Sequence, residues 1–259
     1  MPQGEVILRH AEPVMGTVVS FDLRPQGLPM AATRAALAAA CALLHRADET
    51  FSLYRPDTPL ARFRRGELTV AECPPEVAAV SWLCRRARLI SGGWFDPWAL
   101  PGGFDPTGLV KGWATREAAD ILAQAGVGAA MVNAGGDIAT FGVPARQPGW
   151  RIGIRAPQSP RQLSCVIELH DGAVASSGTY ERGEHIWDVF AAQPARAVAA
   201  ASVSGPDLAL ADALATALVA AGRRGLEAVT AAGYEALIVD TAGERISTAG
   251  FPELAAIPA

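Results

Sequence analysis

Asp212 and Thr216 stand four residues apart in Leu208-Ala-Leu-Ala-Asp212-Ala-Leu-Ala-Thr216-Ala-Leu-Val219, a segment apolar on nearly every face. Helical spacing stacks the carboxylate and the hydroxyl one turn apart on one face. A helix that is apolar all round is buried, and a buried carboxylate must find a cation or several donors, or else take up a proton. Two oxygen donors suit Mg²⁺, with phosphate oxygens and water completing its shell. The competing reading is structural: Asp212 accepts from a neighbouring loop and Thr216 bonds back to the carbonyl of Asp212. No His, Cys and Glu stand at the spacing of a zinc site.

A second candidate is Asp105-Pro-Thr-Gly-Leu-Val-Lys111-Gly-Trp-Ala114, where a turn-forming run meets the start of an amphipathic helix. Leu109, Val110 and Trp113 begin the apolar face, so Asp105 and Lys111 flank one helix N-terminus. Free N–H groups and the helix dipole favour an anion there, and phosphate is a natural occupant; the same residues also read as a cap and a solvated lysine. Asn133-Ala-Gly-Gly-Asp137 follows an apolar strand. It reads either as a Gly-rich turn whose amides face an anion or as a hairpin turn with Asp137 as its polar cap, and it matches neither the dinucleotide fingerprint nor a P-loop. Ser176-Ser-Gly-Thr-Tyr180 lacks the G-x-S-x-G frame of a hydrolase elbow, and His185 falls on the following strand.

The elements that must position these residues follow from periodicity. Strands are expected at Glu5 to Leu8 and Thr17 to Leu23, with Pro13-Val-Met15-Gly-Thr17 as the tight connection. Helices are expected from Met30 to about Thr50, from Pro74-Pro75 to Ile90, from about Leu109 to Ala125, over Asp207 to Ala221, and near Arg224 to Ala232. Short β-like runs lie at 130–134, 138–141, 150–155, 163–169, 173–176, 185–190 and 197–203, several joined by hairpin-length turns, and Ala236 to Asp240 is the last strand. Helices early and strands late predict an α+β fold with a largely antiparallel sheet and packed helices, in one compact unit over 1–259.

Composition excludes other classes. The chain has 259 residues, half of them hydrophobic, so it can bury a sizeable core. A net charge of −4 and the absence of a Lys/Arg-rich cluster argue against nucleic acid as a partner. Met1 to Pro13 is polar and lacks the apolar core of a signal peptide and any lipoprotein-type Cys. No stretch is long enough to span a bilayer, so no membrane anchor and a cytoplasmic location are expected. Cys41, Cys73, Cys84 and Cys165 form no C-x-x-C pair and read as buried thiols.

In series, Met15-Gly-Thr17, Phe51-Ser-x-Tyr54, Phe95-Asp96-Pro, Asp105-Pro-Thr-Gly-Leu-Val-Lys111-Gly, Asn133-Ala-Gly-Gly-Asp137, Ser177-Gly178, His185-Ile186 and Ala211-Asp212-Ala-Leu-Ala-Thr216 resemble the ApbE family of FAD:protein FMN transferases. The resemblance implies an ApbE-like (T-fold-like) protein that takes FAD as substrate and Mg²⁺ as cofactor. Such a protein attaches FMN through a phosphoester bond to a Ser or Thr of an acceptor and releases AMP. By matching position, Met15, Tyr54, Phe95 and Asp96 would hold the flavin and nucleotide parts, with Asp105, Lys111, Ser177 and Ile186 as further FAD contacts. The metal would fall on the Gly108 carbonyl and the side chains of Asp212 and Thr216. Lys111 would assist charge neutralisation, and Asp212 or His185 would take the acceptor's proton. Position 215, acidic in some members, is Ala215, which leaves more of the metal shell to water or substrate. The family's acceptor motif, Asp-x-x-Ser/Thr-Gly-Ala-Ser/Thr, does not occur in this chain, so the target is another protein. Two rival readings keep the same residues: a Mg²⁺-dependent FAD pyrophosphatase, and a flavin-binding protein without turnover.

Overall fold

The computed structural model describes residues 5–100, 102–178 and 186–254. Its centre is an antiparallel sheet built from strands that alternate sides residue by residue. The strands are β1 (Leu8–Val14), β2 (Thr17–Arg24), β3 (Ala129–Ala134), β4 (Asp137–Phe141), β7 (Gly172–Gly178), β10 (Ala200–Gly205), β11 (Glu235–Val239) and β12 (Arg245–Ser247), in that spatial order. Every pairing between neighbours is antiparallel. Between β4 and β7 the chain leaves the sheet as a two-stranded ribbon, β5 (Trp150–Ala156) and β6 (Ser159–Leu169), and β8 (Trp187–Asp188) pairs with β9 (Gln193–Pro194).

The two faces of the sheet pack against different partners. Val19, Phe21, Val132, Ala139, Ala173, Ala175, Val203 and Ile238 join one core with the helices α1 (Met30–Phe51), α3 (Pro75–Ile90), α4 (Thr107–Gln124) and α5 (Leu208–Ala221). Ile138, Val174 and Leu237, each one residue out of phase, join a second core with Ile152, Ile154 and Ile167 of the ribbon and with Phe251. Two short helices, α2 (Pro59–Arg64) and α6 (Leu226–Ala231), complete the described elements besides two 3₁₀ turns. On α5, Leu208, Leu210, Leu214 and Leu218 are all but inaccessible to solvent. At about 2 kcal/mol per buried leucine, they contribute enough to carry one buried carboxylate in the same helix.

The α+β architecture and antiparallel sheet agree with the expectation, and the helix ends differ from it by a residue or two. The first strand does not. It runs Leu8–Val14 rather than Glu5 to Leu8, and only Met15-Gly16 form the turn, with Val14 paired to Thr17. Its inward residues include His10 and Glu12, and two polar side chains on the inner face hid the alternation. The helix α2 and the strands β9 and β12 were unexpected, being too short to show a period. The expected run 197–203 becomes a strand only at Ala200, and within 185–190 only Trp187–Asp188 form one among the described residues. All four cysteines are free and buried, as expected. Among the described residues, no helix is long and apolar enough to cross a membrane.

Candidate active site

The site begins where α4 crosses α5. Gly108 and Gly112 lie one turn apart on α4, and Leu208, Asp212 and Thr216 repeat at the same spacing on α5. A Cβ at Gly112 would stand 2.6 Å from the Leu208 carbonyl oxygen and 2.9 Å from Asp212 Cβ. A Cβ at Gly108 would stand 3.4 Å from Thr216 Oγ1. Hydrogen in place of a side chain therefore lets the two backbones touch. Asp212 Oδ2 accepts a hydrogen bond from Gly112 N at 3.1 Å. That N–H is the donor that α-helical geometry aims at the Gly108 carbonyl, so carbonyl and carboxylate converge on one spot.

The β3–β4 hairpin brings a second carboxylate to the same place. Gly135 and Gly136 both have positive φ, Ala134 pairs with Asp137, and Asn133 Oδ1 accepts from Gly136 N at 2.8 Å. This is a two-residue turn of the kind that glycine pairs favour. Asp137 shares the helix-facing phase of Ala139 and is completely buried. Its Oδ1 accepts from Ser176 N at 3.2 Å, and its Oδ2 lies 2.5 Å from Lys111 Nζ, a contact of charge with no aligned hydrogen bond at that oxygen. Asp137 also meets Asp212. Burial first, and then Asp137, push the Asp212 carboxyl well above the usual carboxylate range; Lys111 and the Gly112 N–H oppose them. Two buried carboxylates thus face one ammonium in this cluster. Beside them, Thr216 Oγ1 lies 3.2 Å from Ser177 Oγ.

Two cavities open around Lys111, which lines both together with Thr107. The smaller, about 170 Å³, is lined by Phe95, Asp96, Asp105, Gly108, Ser177, Ile186, Asp212 and Thr216. The larger, about 530 Å³, is lined by Met15, Gly16, Ala47, Phe51 and Tyr54 among others. The expected metal-binding residues therefore come together in one cavity, and the expected flavin contacts divide between the two. Phe95 is buried against Gly108, and Tyr54 stands on the rim with 94% of its surface exposed. Asp96 is already engaged: its Oδ2 pairs with Arg88 Nε at 2.6 Å and its Oδ1 accepts from Trp98 N. Asp105 Oδ1 accepts from Thr107 N and Oγ1, tying down the entry to α4. His185 lies outside the described residues. Asp137 is the residue that sequence reasoning left as a turn cap. Its place one residue past the glycine pair, in phase with Ala139, was the available signal.

A divalent cation fits this donor set. Carboxylate, hydroxyl and carbonyl oxygens are hard ligands of the kind Mg²⁺ takes. Asp137 and Asp212, 0% and 4% exposed, are two buried carboxyl groups beside the Lys111 ammonium, and a cation would favour the ionised form that burial opposes. Ala215 supplies no donor, and the second carboxylate beside Asp212 is Asp137.

Fold and site define an antiparallel α+β protein with a buried oxygen-donor cluster beneath a divided cavity. The model of the ApbE family matches residues 15–103 and 102–238, and the chain belongs to that family. Its curated relatives include an FAD:protein FMN transferase of Rhodobacter capsulatus, 38% identical over 120 residues. That match covers 43% of this chain and 23% of the relative. Another, of Vibrio cholerae serotype O1, is 33% identical over 128 residues, covering 46% of this chain and 38% of the relative. The matches thus span well under half of those relatives' lengths. The fold is similar to the flavin transferase ApbE from Vibrio cholerae, with a TM-score of 0.83 at 22% identity over 97% of this chain and 100% of that one. It is similar also to the ApbE protein of Thermotoga maritima, with a TM-score of 0.85 at 22% identity over 96% and 100% of the two chains.

Proposed function

We propose that this chain, acting as one unit over its whole length, is a Mg²⁺-dependent FAD:protein FMN transferase. The observation that carries the reading is the convergence of Asp212, Thr216, Gly108 and Lys111 in a cavity that shares Lys111 with a larger apolar one, with the buried Asp137 paired to Lys111 behind them. FAD needs both kinds of surface, an apolar one for its ring system and a cationic one for its pyrophosphate. Met15 and Tyr54 would bound the flavin, and Phe95, Asp105, Ser177 and Ile186 the part of FAD nearer the metal. Asp96 would act chiefly by holding its loop to Arg88.

Gly108 through its carbonyl, with Asp212 and Thr216 through their side chains, would hold Mg²⁺, and Asp137 would complete the negative field. When bound, Mg²⁺ would neutralise charge on the pyrophosphate oxygens. The chain's own residues would do the rest. Lys111 donates to the phosphate oxygens, which gain charge as the acceptor's hydroxyl oxygen forms its bond to the FMN phosphorus and the bond to the AMP oxygen breaks. The hydroxyl proton goes to Asp212 or His185, the two candidate bases. Asp212 would be the weaker base when it also ligates metal.

The acceptor would be another protein carrying Asp-x-x-Ser/Thr-Gly-Ala-Ser/Thr. Four free buried thiols are consistent with a cytoplasmic setting. The test is incubation with FAD, Mg²⁺ and a peptide of that motif, following peptide mass and AMP, with Asp212→Ala alongside. An FMN-sized mass gain that disappears in Asp212→Ala is the expected result. AMP release with the peptide unmodified would instead make the protein an FAD pyrophosphatase. Intact bound FAD with no product would make it a flavin-binding protein.

A further inference from the structure

The spacing of His, Cys and Glu along the chain offered no zinc site, yet the fold brings such side chains together from two elements. His10 and Glu12 alternate onto the helix-facing side of β1. Cys41 and His45 are one turn apart on the face of α1 that meets them. A ring nitrogen of His10, a carboxylate oxygen of Glu12 and the Cys41 sulfur lie within 4.8 Å of one another. His10 Nε2 is 2.9 Å from Glu12 Oε2, and His45 Nε2 is 2.9 Å from Glu12 Oε1.

We infer that His10, Glu12 and Cys41 form a binding site for a transition-metal ion of the zinc class, with His45 orienting the Glu12 carboxylate and the fourth position open to solvent. The argument is one of donor chemistry and placement. Nitrogen, thiolate sulfur and one carboxylate oxygen select zinc, cobalt or copper, whereas the oxygen donors around Asp212 select magnesium. In a tetrahedral zinc site the donors stand about 3.3 to 3.8 Å apart, so side-chain rotation alone closes the present cluster around an ion. A ligating carboxylate whose other oxygen is hydrogen-bonded is the usual second layer of such sites, and His45 occupies that place. Cys41 is buried, while the His10 side chain is 38% exposed, so an ion has a route in. On binding, the metal–sulfur bond replaces the S–H bond and the thiol proton leaves to solvent. The ion would join β1 to α1 beside the larger cavity, since Met15 is three residues beyond Glu12 and Ala47 two beyond His45.

The test uses the full chain, stripped with a chelator and kept in saturating Mg²⁺ so that the oxygen site is occupied. Co²⁺ is titrated first and Zn²⁺ then competes it away. One equivalent of Co²⁺ is expected, with a thiolate-to-cobalt charge-transfer band and the intense visible bands of a four-coordinate ion. Cys41→Ser should remove the charge-transfer band. His10→Gln, a half-exposed position where folding is safe, should weaken Zn²⁺ binding by about a hundredfold, and His45→Gln by about tenfold. Zn²⁺ should raise the melting temperature of the parent but not of His10→Gln. Absence of the charge-transfer band, its survival in Cys41→Ser, or equal Zn²⁺ affinity in parent and His10→Gln would each overturn the assignment. None of these readouts depends on flavin transfer.

Discussion

The two cavities that meet at Lys111 are built in opposite ways. The smaller is lined by the crossing of α4 and α5, with Gly108 against Thr216 and with Asp212, by Ser177 on a strand, and by larger side chains that include Trp94, Phe95 and Ile186. The larger is walled by the end of α1, a hairpin tip and the loop that carries the exposed Tyr54. Placing charge to within tenths of an ångström demands close-packed regular elements. Holding a flat apolar ring demands area and tolerates loose walls. Lys111 belongs to both because it is on the first turn of α4 beyond Gly108, where the two cavities meet.

Substitutions can break this contrast from either side. The largest effect is expected for Asp212→Asn, about a thousandfold or more in FMN transfer measured by peptide mass, with the melting temperature unchanged or raised because a buried charge is gone. Asp137→Asn should lower transfer by about ten- to a hundredfold and raise the Mg²⁺ concentration for half-activity, since the field around the metal weakens. Gly112→Ala sets a methyl against backbone that cannot move aside. A loss of about 2 kcal/mol in denaturant unfolding is expected, with activity falling because Gly108 and Thr216 are pushed apart. Tyr54→Ala should raise the KM for FAD a few-fold, leaving kcat and melting temperature near the parent's, if its wall serves only recognition.

The smallest effect separates burial from chemistry. Glu117, six residues beyond Lys111 on α4, also has its carboxyl raised, by burial first and then by Asp120 and Asp207. A carboxyl raised in the folded state supports folding while protonated, and that support is lost as pH rises through its folded value. Glu117→Gln should therefore raise the melting temperature by a degree or two at pH 8, leave it unchanged at pH 4, and spare transfer throughout.

Much of this arrangement was readable from residue order. Asp212 and Thr216 stand out because a carboxylate in an apolar helix needs a partner, and Asp105 to Lys111 because turn chemistry runs straight into a helix, although each pattern alone also fits a structural role. Asp137 was harder to place: its assignment depends on which face of β4 is covered by helices and which by the β5–β6 ribbon, and both faces are apolar. His10 and Glu12 stand in a polar N-terminal stretch and Cys41 reads as a buried thiol of a separate helix, with nothing in residue order to join them to one another or to His45. Only the pairing of β1 with β2, which sets His10 opposite Phe21, turns them toward α1. Contacts between elements far apart in the chain carry no local period, and this is where sequence reading stopped.

Met15 occupies the first position of the β1–β2 turn with φ 54°, a conformation that asparagine or glycine adopts more cheaply. A methionine held there forfeits about 1 kcal/mol of folding stability. The chain thus trades robustness for a thioether at the cavity mouth, and a screen for thermal resistance alone would discard this residue early.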